Sequence, residues 1–423
     1  MIAIIGAGIG GLTTALSLHA AGLPCRVYEA VQEPKAIGCG INLLPHAVRE
    51  LCELGLNGAL HGSGIPTADM IHCDRFGNQI WRAERGRAAG YRWPQYSIHR
   101  GDLQMILMDA VRERLGPSAV QTGLQLARFS QTARDVRLEL EDRGQGRKAI
   151  VTADVLVGCD GIHSSVRAQL HPGETRPSWN GIQMWRGVTE AEPFLGGRSM
   201  IVAGSNRRAK FVAYPISRRA ERRGRALVNW VAEVLLGTDA GAASENWDRK
   251  APLAAVLPHF SDFRFDWLDV PALITNASTI YEYPMVDRDP LPWWTQGRVT
   301  LLGDAAHPMY PVGSNGGSQA ILDARVLAWE LARSAEPTAA LQAYEEARRP
   351  RTSELVMTAR KMGPERVLAT VEERAPNGFG RVEDVLTRAE LSTLDADYRR
   401  LTGFDAQELN QRPSWSVVPR HVG

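Results

Sequence analysis

The apolar residues of this chain follow two patterns, and each pattern predicts a different kind of strand. Short runs that are almost wholly apolar, such as Ile2–Ile5 and 154–158, are typical of parallel strands buried on both faces. The segments 200–203, 211–214 and 227–231 have a period of two, which is typical of antiparallel strands. The sequence therefore predicts an α/β protein with a parallel sheet and a separate antiparallel sheet.

Helical spacing follows several of the predicted strands. Helices are expected at 12–21, at 45–55, from Arg100 to about 111, and at 164–170. Two longer helices are expected at 318–333 and at 338–349. The second of these should end before Pro350, because proline disfavours helical backbone in the residue that precedes it.

A glycine-rich segment, Gly6-Ala7-Gly8-Ile9-Gly10-Gly11, lies between the first strand and the first helix. Gly6 allows a tight turn, Gly8 lets the backbone approach a pyrophosphate, and Gly11 permits close packing of helix on strand. The helix that continues from Leu12 would direct its positive N-terminus at the phosphates. The second strand ends at Glu29, at the offset expected of a ribose-binding acid. Together these features predict dinucleotide binding.

Two further glycine segments, Gly158-Cys159-Asp160-Gly161 and Gly303-Asp304-Ala305-Ala306-His307, each follow a predicted strand. Ligands of open α/β sheets bind outside the carboxyl ends of the strands, so all three glycine segments point to one site. An NAD-binding domain needs only the first segment. Because the chain returns twice more to the same site, we expect a larger cofactor, FAD.

Composition and charge exclude several classes of function. Of 423 residues, 44% are hydrophobic and 23% charged, which is typical of a globular protein with two domains. The net charge of +2 does not favour nucleic acid as a partner. The five cysteines have no CxxC spacing and no histidines at metal spacing, so we expect reduced thiols, no metal and a cytoplasmic protein. We expect neither a signal peptide nor a membrane span, which needs about 20 apolar residues.

We expect a Rossmann-like FAD-binding domain interleaved with a smaller, mainly antiparallel β domain for the substrate, plus C-terminal helices. The FAD-binding domain is expected at 1–64, 98–172 and 295–362, and the substrate domain at 65–97 and 173–294. Residues 363–423 are expected to form a helical or irregular tail.

The three glycine segments, in this order, resemble those of the single-component flavoprotein aromatic hydroxylases, the superfamily of para-hydroxybenzoate hydroxylase and salicylate hydroxylase. The similarity covers roughly residues 1–350 and includes GDAAHPMYPVGSNGG at 303–317. The segments WPQYSIHRGDLQMIL, GIQMWRGVT and YPMVDRDPLP, which begin at residues 93, 181 and 283, are most similar to the phenazine-carboxylate monooxygenase branch. One loop departs from the family pattern GQGxN, since it reads Gly313-Ser314-Asn315-Gly316-Gly317.

The resemblance implies a set of FAD contacts drawn from all parts of the first domain. In chain order they are Gly8, Gly10, Gly11, Leu12, Glu29, Gly40, Ile41, Arg100, Gln104, Leu124, Asp160, Asp304, Asn315, Gly316 and Gly317.

Each contact has an implied role. Glu29 would bind the adenosine ribose, and Leu124 the adenine through its backbone. Arg100 and Gln104 would contact the pyrophosphate and the ribityl side, and Asp304 a ribityl hydroxyl.

The remaining roles concern the flavin ring and the phosphates. Gly40 and Ile41 would lie along the ring, and Asp160 would support the phosphate region. The helix expected from Ser318 begins beside the loop 315–317. Its N-terminal N–H groups would stabilise negative charge on reduced flavin.

The implied activity is that of an FAD-dependent monooxygenase that uses NAD(P)H and dioxygen, by way of a flavin hydroperoxide, to hydroxylate an aromatic compound. For this branch the substrate would be a polycyclic or N-heteroaromatic carboxylate, with decarboxylation as a possible accompaniment. NADH is preferred to NADPH, because the close relatives resemble NADH users and no basic pocket for a 2′-phosphate is evident. We expect a monomer or a homodimer.

Two alternative functions stay open. One is a non-oxygenating FAD oxidoreductase on the same fold, and the other is a non-catalytic FAD-binding protein.

The expected substrate pocket comprises Trp185, Arg186, Tyr214, Met309 and Pro311. Its aromatic residues could equally pack in the core. Arg186 could bind a substrate carboxylate or pair with an acid such as Glu190, and the pairing is the preferred interpretation.

Two further assignments concern charged and titratable residues. His307, in a loop beside proline, is expected to be structural rather than a catalytic base. Glu345, Glu346, Arg348 and Arg349 are expected to form exposed pairs on a helix, each contributing only tenths of a kcal/mol.

Overall fold

The computed structural model describes residues 1–36, 38–142, 144, 146, 148–237, 249–361, 365–393 and 405–417. The strands are β1 (Ile2–Ile5), β2 (Cys25–Glu29), β3 (Gly40–Leu43), β4 (Ile65–Thr67), β5 (Asp69–Cys73), β6 (Gln79–Glu84), β7 (Gln95–His99), β8 (Val120–Thr122), β9 (Leu124–Gln131), β10 (Val136–Asp142), β11 (Lys148–Ala153), β12 (Val155–Gly158), β13 (Ser178–Ala191), β14 (Ser199–Ser205), β15 (Ala209–Pro215), β16 (Ala226–Leu235), β17 (Arg264–Phe265), β18 (Leu268–Asp269), β19 (Ile280–Asp287) and β20 (Val299–Leu301). The helices are α1 (Ile9–Ala20), α2 (Pro45–Glu53), α3 (Asn57–Ser63), α4 (Arg100–Leu115), α5 (Ser165–Leu170), α6 (Arg218–Glu221), α7 (Leu253–Val256), α8 (Val270–Thr275), α9 (Gly316–Arg333), α10 (Pro337–Arg360), α11 (Glu365–Arg374) and α12 (Ala406–Gln411).

A five-stranded parallel sheet, in the order β20-β12-β1-β2-β8, organises the first part of the molecule. Its central strand β1 is buried at every position, as its apolar sequence predicts. The carboxyl ends of β1, β12 and β20 lead directly into the three glycine segments. The parallel register therefore brings these segments to one edge of the sheet.

A seven-stranded sheet, in the order β19-β13-β16-β15-β14-β5-β6, forms the second part, and only β14 and β5 pair in parallel among its described strands. Strand alternation gives it two distinct faces. The outer face carries Phe211 and Trp230 and packs on an apolar cluster that includes α8. The inner face carries Val212 and Val231 and packs on α11 and on the loop at 310–312.

The segment 65–97 contributes to two sheets rather than one. Strands β5 and β6 join the seven-stranded sheet, whereas β4 and β7 pair with each other and β7 with β3. Our division into two domains stays a proposal, and residues 362–364 at its last boundary lie outside the described part of the chain.

The predicted end of a helix before Pro350 was wrong, because α10 continues through this proline to Arg360. Pro350 and Glu346 both lie on the exposed side of the helix. The carbonyl that proline deprives of a hydrogen bond therefore faces water. On the opposite side, buried Leu355 and Val356 hold the helix against the core. Tertiary packing thus outweighs the local preference.

Two further expectations about these helices need correction. The helix predicted from Ser318 begins at Gly316, so both glycines belong to its first turn. Glu345 and Arg348, expected at the surface, are buried. Glu345 accepts hydrogen bonds from the backbone N–H groups of Trp294 and Thr295, each 2.8 Å long.

The last described residues, 405–417, form a C-terminal strap across α2 and α9. Arg412 donates to Glu50 of α2, and Ser414 Oγ donates to Oε2 of Glu53 at 2.6 Å. Arg325 of α9 donates to Oγ of Ser416 at 2.8 Å. The strap therefore joins two helices that begin at the glycine-rich edge.

No helix in the described part of the chain is long and apolar enough to cross a membrane.

Candidate functional site

The turn between β1 and α1 has the form of a phosphate cradle. Gly6 has a φ of +101°, and a Cβ at this position would lie 2.5 Å from the carbonyl oxygen of Cys159. A Cβ at Gly11 would lie 2.0 Å from the carbonyl oxygen of Gly6. At Gly8, no described atom lies within 4 Å of such a Cβ, and no described side chain caps α1. The helix N-terminus is thus open to an anion.

Glu29 and Gln104 converge on this turn at Ala7. The carboxylate of Glu29 accepts hydrogen bonds from the backbone N–H groups of Ala7 and Val31, both at 2.7 Å. Nε2 of Gln104 donates to the carbonyl oxygen of Ala7 at 2.8 Å. Leu124, the first residue of β9, follows β8, which pairs with β2 up to Glu29. The predicted ribose and adenine contacts therefore lie at neighbouring strand ends.

Asp160 supports the same turn by its backbone, while its carboxylate faces α5. The carboxylate accepts hydrogen bonds from Oγ of Ser164 at 2.5 Å and from the N–H of Ser165 at 2.7 Å. Burial raises the pKa of Asp160, and these hydrogen bonds oppose that shift. Asp160 therefore holds the 158–161 segment in place against Gly6.

A second open helix N-terminus, that of α9, faces the same edge. No described side chain caps α9 after Asn315. A Cβ at Gly317 would lie 2.7 Å from Cδ1 of Ile41, and one at Gly316 would lie 3.8 Å from Oδ1 of Asp304. Asp304 is exposed. The predicted contacts of the flavin ring and the ribityl chain thus come together at the first turn of α9.

A buried ion-pair cluster fixes the 303–307 loop. Nε2 of His307 lies 2.6 Å from Oδ2 of Asp323, whose Oδ1 accepts a 2.7 Å hydrogen bond from Nε of Arg348. Burial raises the pKa of Asp323, but His307 and Arg348 outweigh burial and lower it. Asp323 also accepts from the N–H of Gly303. His307 is thus buried and paired with Asp323, in keeping with the structural role that the sequence predicted.

The inner face of the seven-stranded sheet meets strand β3 at Gly40. The N–H of Gly40 donates to Oδ1 of Asn229 at 2.6 Å. A Cβ at Gly40 would lie 2.8 Å from Cε2 of Tyr214, whose pKa burial raises. Glycine at this position therefore lets the inner face approach the strand that would lie along the flavin.

Arg186 also lies on the inner face, where β13 pairs with β16 at Val231. Its Nε is buried and has no hydrogen-bond partner among the described residues. Its Cζ lies 5.7 Å from the centroid of the Tyr283 ring. The preferred pairing with Glu190 was wrong, because Glu190 is four residues along an extended strand and pairs instead with arginines of the 223–225 turn.

Trp185 does not belong to the pocket, and this prediction was wrong. It is adjacent to Arg186 in β13 and therefore points to the outer face, where its ring stacks on His259 at 5.9 Å. Arg186 and Tyr214 share the inner face, so the pocket cannot include their outward-facing neighbour.

The loop at 308–312 adds two residues to the inner-face cluster that the sequence did not suggest. Met309 is half-buried and Pro311 is exposed. The intervening Tyr310 and Val312 are buried in the inner-face cluster together with Tyr214. Sequence reasoning missed these two residues, as it missed Asn229. Asn229 could have been found from the sequence, because it is a polar residue inside the apolar run 227–231.

Two uncapped helix N-termini, an acid at the end of β2 and an exposed aspartate beside α9 define a dinucleotide-binding flavoprotein site. The fit to FAD follows from the cradle at Gly8 and from the close approach of Gly317 to Ile41. A family profile described as an FAD binding domain matches residues 1–359, and the chain belongs to this family.

Characterised relatives define the class of enzyme. The chain is 50% identical over 372 residues to phenazine 1,6-dicarboxylic acid hydroxylase of Lysobacter antibioticus, covering 87% of this chain and 91% of that one. It is 32% identical to 3-hydroxybenzoate 6-hydroxylase 1 of Aquipseudomonas alcaligenes, covering 83% and 86%. HpxO of Klebsiella pneumoniae, solved with FAD and uric acid, superposes with a TM-score of 0.71 at 26% identity, covering 97% of this chain and 95% of HpxO.

The protein is therefore an FAD-dependent aromatic monooxygenase, and the resemblance carried by the three glycine segments is confirmed. The predicted fold class, a Rossmann-like FAD-binding domain interleaved with a smaller antiparallel domain and followed by C-terminal helices, is confirmed as well.

Proposed function

We propose that this enzyme hydroxylates a polycyclic N-heteroaromatic carboxylate at the expense of NADH and dioxygen. The observation that carries the proposal is Arg186 on the inner face, with a buried Nε that has no partner among the described residues. A substrate carboxylate would supply the missing acceptor. The 50% identity to a phenazine 1,6-dicarboxylic acid hydroxylase supports the same class of substrate.

The residues of this chain would act mainly by binding and positioning. The open N-terminus of α1 would hold the pyrophosphate, and Glu29 and Asp304 would hold the two sugar portions. The open N-terminus of α9 would stabilise negative charge on the ring. FAD, when bound, supplies the activation of dioxygen. The protein's task is then to orient the substrate and exclude water.

The inner face provides the apolar surroundings that this chemistry requires. Val212 and Val231 form its floor, and Tyr310 and α11 cover it. A flat aromatic substrate would stack there beside Tyr214, next to Gly40. Such a site is apolar with few polar anchors, as ligand pockets generally are.

The proposal is tested by turnover of phenazine-1-carboxylate with NADH under ¹⁸O₂. One labelled oxygen in the product is expected. The product mass also shows whether oxygen is added or whether a hydroxyl replaces the carboxyl group. NADH oxidation with unlabelled product would instead identify a non-oxygenating oxidoreductase on the same fold.

Arg186→Met should raise the KM for the aromatic carboxylate by about ten- to a hundredfold, because a charge-assisted hydrogen bond is lost. The kcat should change less. Arg208→Met is the matched control, since Arg208 is an exposed arginine that pairs with Asp262 at 3.5 Å. An unchanged KM in Arg186→Met, accompanied by a lower melting temperature, would show that Arg186 is structural.

Three further features belong to the proposal. NADH is the preferred electron donor, and a large preference for NADPH in steady-state kinetics would contradict this choice.

The five cysteines are free, which supports a cytoplasmic location. A monomer or homodimer is expected, which sedimentation of the holoenzyme would establish.

A further inference from the structure

One row of side chains crosses five strands of the inner face. Backbone pairing places His72 opposite Val202, Val202 opposite Val212, Val212 opposite Val231, and Val231 opposite Arg186. The middle of the row is therefore apolar and flat, with Arg186 near one end.

A buried charge lies on the other side of this apolar floor. Lys210 is two residues before Val212 in β15 and shares its face, because Ala209 and Phe211 belong to the outer-face cluster. Two strand spacings of about 4.8 Å and one two-residue step of about 6.7 Å separate Lys210 from Arg186. The two Cα atoms thus lie about 12 Å apart, diagonally across Val212 and Val231.

The surroundings of Lys210 are polar although they are buried. Lys210 and Glu233 are 1% and 4% exposed, and Nζ of Lys210 lies 2.8 Å from Oε2 of Glu233. His72 is also buried, and its Nδ1 has no hydrogen-bond partner within the described residues. Burying polar groups costs free energy, and apolar residues in place of a buried ion pair are often at least as stable. Stability alone therefore gives little reason for these groups, which favours a functional role.

Two cations, Arg85 and Lys210, lie close enough to His72 to affect its pKa. Burial, together with the positive charges of Arg85 and Lys210, lowers the pKa of His72 to about 3. The imidazole is therefore neutral, and one of its nitrogens can donate. The neutral donor is His72, and the cations near it are Arg85 and Lys210, the second of which pairs with Glu233. Such a set of donors favours binding of an anionic group of a ligand.

We propose that Lys210 is a second anionic anchor of the substrate site, so that the enzyme prefers an aromatic substrate with acidic groups at both ends. This inference rests on the proposed function. Arg186 would take one carboxylate, Lys210 and His72 the other, and the rings would lie over Val212 and Val231. The α11 helix closes the Lys210 end, where Glu372 accepts a hydrogen bond from Ser205.

The test compares two probes on the oxidised holoenzyme, phenazine-1,6-dicarboxylate and phenazine-1-carboxylate, by perturbation of the flavin absorbance. The wild type should bind the dicarboxylate about ten- to a hundredfold more tightly, because a second charge-assisted contact forms. In Lys210→Met this preference should disappear through weaker binding of the dicarboxylate alone. Lys210→Arg should retain it, and Lys148→Met, at an exposed lysine of β11, is the matched control.

Because Lys210→Met leaves Glu233 buried without its cation, the double variant Lys210→Met/Glu233→Gln keeps the test independent of folding. It should melt close to the wild type and still lack the preference. Equal affinity of the wild type for both probes, or a preference retained in the double variant, would overturn the inference and leave the proposed function intact. Failure of both probes to bind would overturn the proposed function and this inference with it.

Discussion

Asp304 shows how much of the site depends on single side chains. It is exposed and lies beside the first turn of α9, and the resemblance assigns to it a contact with a ribityl hydroxyl. Asp304→Ala should weaken FAD binding about ten- to a hundredfold, since a charge-assisted hydrogen bond is lost. Titration of apoprotein with FAD measures this effect, with Asp109→Ala on the exposed side of α4 as the control. Unchanged affinity would remove Asp304 from the set of cofactor residues.

Tyr214 is a side chain of the inner face that approaches β3 at Gly40. Tyr214→Ala should open the pocket to water and uncouple the reaction, so that NADH oxidation continues while hydroxylated product falls and hydrogen peroxide rises. Product and peroxide are measured together under saturating substrate. Trp185→Leu, on the outer face, should lower stability without changing this ratio. Proportional loss of both activities in Tyr214→Ala would show that Tyr214 is not a pocket wall.

At the scale of elements, the apolar runs predicted the strands well, because a parallel strand buried on both faces needs a continuous apolar sequence. The helix termini were harder to predict. Pro350 continues a helix because tertiary packing on the opposite side compensates for the lost hydrogen bond. Such compensation arises between residues distant in sequence, and no local pattern reveals it.

The orientation of the proposed pocket residues also depends on contacts between residues distant in sequence. Strand alternation already excludes Trp185 and Arg186 from the same face. Which of the two shares a face with Tyr214 became known only from the pairing of β13, β16 and β15. Strand register is set by long-range contacts, and a shift of one residue exchanges the two faces. Lys210 and Glu233 were overlooked for a similar reason, because they are far apart in sequence and meet only across β15 and β16.

The C-terminal strap is an element whose contribution can be measured. Glu50 is buried and accepts hydrogen bonds from both Arg325 and Arg412. Arg412→Met should lower the free energy of unfolding by about 1–3 kcal/mol. In this variant the buried Glu50 carboxylate keeps its hydrogen bond with Arg325 but loses the one with Arg412. Urea denaturation of the holoenzyme measures the change, and Arg381→Met, at an arginine that is 76% exposed, should have no measurable effect. Equal stability of the two variants would mean that the strap is not held by this ion pair.

At the scale of the whole molecule, buried histidines govern stability against acid. Burial, together with the positive charges of nearby arginines, lowers the pKa of His46 in α2 to about 3 from an ordinary value of 6.5. The unfolded chain binds a proton below pH 6.5 that the folded chain excludes, so His46 costs stability as the pH falls from about 6.5 towards 3. Between pH 7 and pH 5 this loss amounts to about 2 kcal/mol.

Urea unfolding at the two pH values measures this loss, and His46→Gln should reduce the pH dependence by that amount. If the free energy of unfolding of His46→Gln falls with pH as steeply as that of the wild type, other groups cause the acid sensitivity.

The strap also has a consequence for biogenesis. Its residues, 405–417, are the last described in the chain, yet they brace α2, which begins at residue 45, and α9. During synthesis these helices emerge long before their brace does, and strand β20 of the parallel sheet arrives only at residue 299. A nascent chain that ends before β20 therefore lacks the third glycine segment of the edge at which FAD is expected to bind.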